Sequence, residues 1–551
     1  MTHNTSSVKL IPLGGSGNVT NNMYVYETDK DILIVDCGIG FPEELIPGID
    51  ITIPDITYLR DKLDKIKGIV ISHAHEDHIG GLPFIWPQLG NEIPIYASRL
   101  TAGFIQEKMA EFNLPTDMIQ VVKDRQPIKV GDFEFKFIPV THSVPDTKHI
   151  IIKTPVGTIY HGSDFKFDWT PVGQQLPDIQ SITKVGAEGV RLLLSDCLRS
   201  ERDGYSPSEA TVEDSLEREF RSVRGRVVVT TMSSNISRID QIIKVAKRNH
   251  RYVALVGRSI ERNVKVAQRL GFINLPKDVL LDKRKIKHFK PNQICLIVAG
   301  SQGQMGSSLT RIAQGDHDFI LEPGDKVIFS SDPIPGNENN VYRIIDLLSR
   351  SGIEVSYSDI LDGLHVSGHA SSRELMMLMA MVKADYVMPI GGTYRHMIQY
   401  AKLARQMGYS DDKIILNESQ ILELRSDGTI IPLETLDIKT VYVEGDETID
   451  SDKHLADRKL MFQEGVVVVL VNLENHRTKV DFDLLPKGIL KQIDRSQLDK
   501  LKQELKQSLS SDDLQRDRLY LKDKVAKTLN SLFVHRLQLN PLIIPIIIDN
   551  Q

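Results

Sequence analysis

Six residues, His73-Ala74-His75-Glu76-Asp77-His78, constrain this chain more than any other stretch, because they set three imidazoles and two carboxylates directly after the apolar run Ile69-Val70-Ile71. The run reads as a buried strand. The Gly80-Gly81 pair behind the cluster predicts a tight turn that lets the side chains converge. Imidazole nitrogen and carboxylate oxygen are ligands that zinc accepts, and a hydrolytic site keeps a coordination position for water. A solvated, histidine-rich turn is the bland alternative, and ligand candidates further along the chain weigh against it.

At 551 residues the chain exceeds what one core can serve, and its length predicts about three or four domains. A hydrophobic share of 41% with 25% charged residues is that of a soluble globular protein. The net charge of −6 announces no global positive field, although a basic groove can sit on an acidic protein. Cys37, Cys197 and Cys295 form no CxxC pair, which argues against a disulfide scaffold and a cysteine-built zinc site. The first seven residues lack the pattern of a signal peptide, and the apolar stretch 542–548 is short and holds a proline. Together these predict a cytoplasmic protein with no membrane association.

From residue 8 to about 200, short β-rich segments at 9–13, 23–27, 32–36, 68–72, 133–140, 150–153 and 192–195 surround a helical stretch at 101–112, as in a layered α/β domain. Between about 210 and 355, apolar runs at 227–230, 253–256, 294–298 and 326–329 read as buried parallel strands, each followed by a loop and a helix. That pattern predicts a second, doubly wound domain. The α/β pattern continues through 385–389 and weakens at the polar segment Val443-Glu444-Gly445-Asp446-Glu447-Thr448. A strand at 466–472, helices at 487–509 and 522–532 and a final strand make a small tail domain. There is no internal repeat.

Two more strand ends carry candidate ligands. Thr141-His142-Ser143 follows Phe137-Ile138-Pro139-Val140, and Gly162-Ser163-Asp164 follows Thr158-Ile159-Tyr160. Alone, either would more often be structural. With the first cluster they supply another imidazole and a carboxylate able to bridge a pair of metals.

The combination His73-x-His75-x-Asp77-His78, His142 and Asp164 resembles the metallo-β-lactamase superfamily. Leu194-Ser195-Asp196, Gly300-Ser301-Gln302-Gly303, the segment 330–338 and His365-Val366-Ser367-Gly368-His369-Ala370 resemble its β-CASP nucleic-acid-processing branch, and within that branch bacterial ribonuclease J. The similarity runs from about residue 8 to the last strand, including Asp457-Arg458-Lys459-Leu460-Met461 in the tail. It implies an αββα sandwich in two parts, 8–212 and 356–442, interrupted by a β-CASP domain at 213–355. A linker at 443–455 and a C-terminal α/β domain at 456–551 would follow.

The resemblance also implies single-stranded RNA as substrate, cut internally and degraded 5′ to 3′ with preference for a 5′-monophosphate, in RNA maturation and mRNA decay. His73, His75 and His142 would hold one zinc and Asp77 and His78 another, with Asp164 bridging. Hydrolysis would use a metal-activated hydroxide. His369 would be the general acid, oriented by Asp196, while His365, Ser367, Gly368 and Ala370 would contact phosphate. The tail would support a homodimer or homotetramer, or a hetero-oligomer with a paralogue.

One position departs from that pattern. Where the family's second metal takes a histidine, this chain reads Pro389-Ile390-Gly391-Gly392-Thr393-Tyr394-Arg395-His396, so glycine stands at the ligand position and Thr393 replaces a carboxylate. Weaker binding of the second metal follows, with Mn²⁺ or Mg²⁺ as alternatives to zinc there. His396 is a candidate substitute. Two functions from different classes remain open: an active ribonuclease with a loosened second metal, and a catalytically weak subunit that binds RNA or an active paralogue. A β-lactamase or thioesterase would need neither the inserted domain nor the 365–370 segment.

Other features have plainer readings. The glycine-rich segment 13–18 has the wrong spacing for a dinucleotide loop and predicts a tight turn near the site. The Gly300–Gly303 segment reads as a loop at strand ends. Charged residues 500–506 read as a solvated helix face, and Arg238 as an RNA contact or a surface ion pair.

Overall fold

The computed structural model describes residues 7–549 other than 43–45, 47, 50, 335, 446, 450, 451, 475–478, 490 and 492. The first six residues, Pro335 and Asp446 of the polar segment therefore lie outside the described residues. The chain divides into two units, one comprising Met1–Phe41 with Thr52–Val441, the other Pro42–Ile51 with Tyr442–Gln551.

The first unit contains two mixed sheets face to face. In one, the strands Ser7–Gly14, Met23–Glu27, Ile32–Val35 and Ile66–Val70 lie side by side within an eight-stranded order. The other is six-stranded and runs Tyr386–Ile390, Leu192–Asp196, Gly157–Gly162, Lys148–Thr154, Phe133–Pro139 and Ile128–Val130. Alternate residues of each sheet meet between them, Leu10, Tyr24, Tyr26, Leu33 and Val35 from one with Phe135, Phe137, Ile150, Ile152, Leu192 and Leu194 from the other. The opposite alternation of the six-stranded sheet, Ile138, Ile151, Tyr160 and Leu193, packs on the helices Ile179–Glu188, Ser372–Val382 and Tyr394–Gln406. This is the expected αββα sandwich.

Within the same unit lies a wholly parallel sheet in the order Tyr252–Val256, Ile294–Val298, Val227–Thr230, Lys326–Phe329, Glu354–Ser356. Its inner strands Ile294–Val298, Val227–Thr230 and Lys326–Phe329 are buried at every residue, as continuous apolar runs require when helices cover both faces. The helix Arg258–Arg269 also packs on Arg99–Glu111 of the sandwich. A Cβ on Gly103 would come within 2.7 Å of the Leu270 side chain, so glycine there lets the two helices approach without displacing it. The insertion leaves the sandwich after Leu192–Asp196 and returns through Tyr386–Ile390, and these two strands pair in parallel, Asp196 beside Ile390. Residues almost two hundred positions apart thus become neighbours at one strand end.

Arg238 departs from its sequence reading. It is fully buried, its guanidinium donating to Glu209 at 2.6 and 3.0 Å and to the Ser330 and Leu364 carbonyls. It is neither an RNA contact nor a surface pair, because its planar donors are all used inside the protein.

In the second unit, Val466–Glu474 pairs antiparallel with Lys479–Lys487 and parallel with Leu542–Asp549. The helices Arg495–Ser508 and Arg518–Leu537 cover one face through Leu501, Leu505, Val525, Leu529 and Phe533. The first of these helices starts later than expected, because Lys479–Lys487 is a strand. Its alternation of Val480, Phe482 and Leu484 with charged residues carried that signal. The polar segment near 443–455 is also structured, as the hairpin Tyr442–Ile449 and the helix Asp452–Glu464. Among the described residues no helix is long and apolar enough to cross a membrane.

Candidate metal centre

The six-residue cluster leaves the strand Ile66–Val70 and enters the short helix Glu76–Ile79. Its backbone is pinned to the neighbouring strand exit, Cys37 N–H donating to His78 O at 2.8 Å and Ile39 N–H to Glu76 O at 3.1 Å. Gly80 and Gly81 make no unusual turn, with φ of −65° and −77°. Their role is close packing, since a Cβ would lie 2.5 Å from Glu76 O or 2.6 Å from Gly38 O. His142 and Asp164 follow the strands Phe133–Pro139 and Gly157–Gly162, Asp196 closes its own strand, and His369 stands just before the helix Ser372–Val382.

Three imidazole nitrogens converge. His75 Nδ1 is 3.1 Å from both His73 Nε2 and His142 Nε2. Asp164 Oδ2 lies 3.6 Å from His73 Nε2, 3.7 Å from His142 Nε2, 3.5 Å from His78 Nε2 and 3.9 Å from His369 Nε2. Burial, reinforced by the neighbouring imidazoles, pushes His73 and His142 well below the usual histidine range; burial likewise takes His75 down to about 4. These rings are therefore neutral and present lone pairs, as metal ligation requires. The His142 tautomer is fixed by its Nδ1–H, which donates to Gly368 O at 2.7 Å and leaves Nε2 to the site. The set His73, His75, His142 and Asp164, with ligand atoms all within 4.8 Å of one another, fits a divalent ion of the zinc type.

A second group, Asp77, His78 and Asp164, shares the carboxylate of the first. It offers one imidazole only. Gly391 has φ +65°, a left-handed conformation suited to glycine, and a Cβ there would point to within 3.7 Å of Asp164 Oδ1 and 3.8 Å of Asp196 Oδ1. The slot opens on the site and holds no donor. The buried Asn22 further occupies this group, its Nδ2 lying 3.2 Å from His78 Nε2 and 3.4 Å from Asp77 Oδ2. His396 does not replace the missing ligand: its Nδ1 accepts from Thr393 N–H at 3.2 Å in a helix cap, and its Nε2 faces Glu201 at 3.7 Å.

His369 Nδ1–H donates to Asp196 Oδ2 at 2.8 Å. Burial opposes a charge on His369, but Asp196 and Asp164 outweigh it and hold its pKa up to about 9. Its Nε2 faces Asp164 Oδ2, 3.9 Å away within the metal group. A cavity of about 650 Å³ opens over these residues, lined by His75, Asp77, Asp164, His369 and Gly391 together with His365, Ser367 and Gly368. His365 is largely buried, with Nδ1 unpartnered, and Ser367 Oγ accepts from His369 N–H at 3.1 Å. Ala370 does not line the cavity; it packs in the apolar layer under the six-stranded sheet. Gln302 and Ser330 to Ile334, at strand ends of the parallel sheet, form another wall. The 13–18 segment lies beside the site, where Gly391 N–H donates to Gly15 O at 2.7 Å and Ser16 pairs with Gly392.

Two residues that position this site went unread in the sequence. Asp36, buried with φ +61°, accepts from His78 Nδ1–H at 2.7 Å and from Ser72 N–H and Oγ–H at 2.8 Å each. Its signal was a carboxylate ending the apolar run 32–35. Asn22 carried no sequence signal beyond being polar before a strand.

Fold and site together define a metallo-β-lactamase-superfamily protein with a β-CASP insertion, and comparison with known proteins agrees. Residues 32–187 match the family described as "Beta-lactamase superfamily domain", 224–348 "Ribonuclease J, beta-CASP domain", 352–415 "Zn-dependent metallo-hydrolase RNA specificity domain" and 453–550 "Ribonuclease J C-terminal domain". The chain is 32% identical to Ribonuclease J2 of Bacillus subtilis over 99% of both chains. It is 38% identical to Ribonuclease J of Thermus thermophilus over 84% of this chain and 82% of that one. Ribonuclease J of Helicobacter pylori is 38% identical over 75% of this chain, which spans 60% of that protein's length. A crystal structure of an Enterococcus faecalis protein of unknown function shares the fold, with a TM-score of 0.54, 16% identity and coverage of 78% of this chain and 100% of that one. The chain belongs to the ribonuclease J family.

Asp36 orients His78 and raises its basicity, so Asp36→Asn is expected to weaken metal binding at the Asp77–His78 position by about 10- to 100-fold. Calorimetric metal titration checks this, with the thermal midpoint as folding control; unchanged affinity at both positions would contradict it.

Proposed function

We propose that this chain is a metal-dependent ribonuclease that hydrolyses single-stranded RNA, as a 5′-to-3′ exonuclease preferring a 5′-monophosphate and as an endonuclease, in RNA maturation and mRNA decay in the cytoplasm. The observation that carries the reading is the convergence of a three-imidazole donor set, reaching one open cavity through His75, with a cavity-lining histidine held by a carboxylate. The names of its relatives supply the substrate class.

In this reading His73, His75, His142 and Asp164 hold one divalent ion, zinc by its donor set, and Asp77, His78 and Asp164 hold a second more weakly, as zinc, Mn²⁺ or Mg²⁺. Ions there would supply an activated water and Lewis acidity toward phosphoryl oxygens. His369 gives its Nε2 proton to the departing 3′ oxygen, and Asp196 holds the ring in the donating orientation. His365, Ser367 and Gly368 place the phosphate from the cavity wall.

A second reading, a catalytically weak subunit binding RNA or an active paralogue, is favoured by the donorless slot at Gly391 and by Asn22 across the second donor group. Degradation of a 5′-monophosphorylated, 3′-labelled single-stranded RNA under Mg²⁺, Mn²⁺ and Zn²⁺ separates the two. The ribonuclease reading expects metal-dependent mononucleotide release. His369→Ala should slow it by about 10²- to 10⁴-fold, and His75→Ala by more than roughly 100-fold, since even indirect partners of a metal cost about 10- to 100-fold. RNA binding without turnover in any metal would establish the second reading instead.

The C-terminal sheet supports self-association as a dimer or tetramer, or assembly with a paralogue. Along one edge strand it exposes Ile544, Ile546 and Ile548, and on the opposite edge strand Leu485, across Val468 from Ile544. Ile546→Lys is expected to lower the mass seen by light scattering, and an unchanged mass would refute this interface.

A further inference from the structure

Five cationic side chains line the cavity: Lys108, Arg199, Arg202, Arg262 and Arg395. Three are already neutralised within the protein, Lys108 by Glu76 at 2.6 Å, Arg262 by Glu111 and Arg395 by Glu201 at 3.3 Å. Among the described residues, Arg199 and Arg202 make no side-chain hydrogen bond or ion pair. Arg199 is the more unusual, because it is half-buried and its Nε is fully buried without a partner. Burial and the like charge of Arg202 both depress its pKa, against weaker support from Asp332, Glu374 and Asp196. The half-buried guanidinium lines the cavity without a counter-charge, a cost that an anion bound at its accessible end would offset.

The turn that carries Arg199 is held by its neighbours and not by its own side chain. Leu198 N–H donates to Asp196 Oδ1 at 2.9 Å, Ser200 Oγ–H to His396 O at 2.7 Å, and Ser372 N–H to Arg202 O at 2.9 Å. The guanidinium is thus presented to the cavity by a fixed backbone, three residues beyond the carboxylate that orients His369. Its planar fork matches two oxygens of a phosphodiester, and it lines the same cavity as His369.

We infer that Arg199, with Arg202 beside it, forms a subsite for a backbone phosphate of the bound RNA strand, a role that rests on the ribonucleic-acid substrate proposed above. Arg199 is a substrate contact supplied by the loop after Asp196, separate from the metal ligands and from the 365–370 segment.

The test is equilibrium binding of a fluorescent, cleavage-resistant 2′-O-methyl RNA strand to the whole metal-loaded protein across a salt series. Arg199→Gln is expected to weaken binding roughly tenfold or more, as loss of a charged hydrogen bond does. The slope of log affinity against log salt should become shallower by about 0.7, one single-strand phosphate contact. Phenylglyoxal labelling of the wild-type protein gives a readout free of any folding defect: bound RNA should slow modification of Arg199, read by peptide mass spectrometry. Unchanged affinity and slope in a folded Arg199→Gln, or equal labelling with and without RNA, would overturn the subsite while leaving the ribonuclease reading intact. No RNA binding by the wild type would overturn both.

Discussion

The site depends on one electrostatic arrangement, the placing of the His73 and His142 Nε2 atoms each 3.1 Å from His75 Nδ1 beside a single buried carboxylate oxygen. Lone pairs at that separation repel, and burial denies them water, so each would be costly to desolvate without a cation between them. The surrounding polar groups serve to tolerate this. Gly368 O fixes the His142 tautomer, Ser72 Oγ lies 3.0 Å from His73 Nδ1, and Asp36 holds His78. Such partners orient ligands without competing for the lone pairs that face inward. Asn22 differs, since its amide points at the inward nitrogen of His78, and it does so where Gly391 offers nothing.

Sheet topology makes the arrangement reachable. The metal-binding side chains and Asp196 sit at or just beyond a strand's carboxyl end, where loops gather and backbone is free to turn, while His369 stands before the helix Ser372–Val382. The parallel pairing of Leu192–Asp196 with Tyr386–Ile390 closes the inserted domain's excursion at that same edge. Asp196 and Gly391 are consequently adjacent, and His369, delivered on the way back, meets Asp196 directly. The insertion therefore contributes the cavity's far wall without disturbing the sandwich core, whose aromatic and branched residues interdigitate independently of it.

Much of this was legible in the sequence for a simple reason: a charged or imidazole side chain two to four positions beyond an apolar run marks a strand end, and His73, His142, Asp164 and Asp196 all carry that mark. Residues whose role depends on tertiary partners were not. Arg238 gave the signature of a surface cation and is enclosed by Glu209, and His396 looked like a spare ligand and caps a helix. Asn22 and Arg199 have no periodic or spacing signal, because what singles them out is a neighbour, or its absence, from a distant segment. The glycines at 80 and 81 were read as a turn, yet they are small because backbone passes close to them. Sequence shows that a glycine is required without showing whether conformation or contact requires it.

The two donor groups are asymmetric, one offering three imidazoles and the other a single imidazole with no donor at Gly391. Metal content after exhaustive dialysis, by inductively coupled plasma mass spectrometry and native mass spectrometry, tests this asymmetry in the wild type and in Gly391→His. One retained ion per wild-type chain is expected, and a second in Gly391→His, whose ring would enter the slot facing Asp164. Two equally retained ions in the wild type, or none, would contradict it.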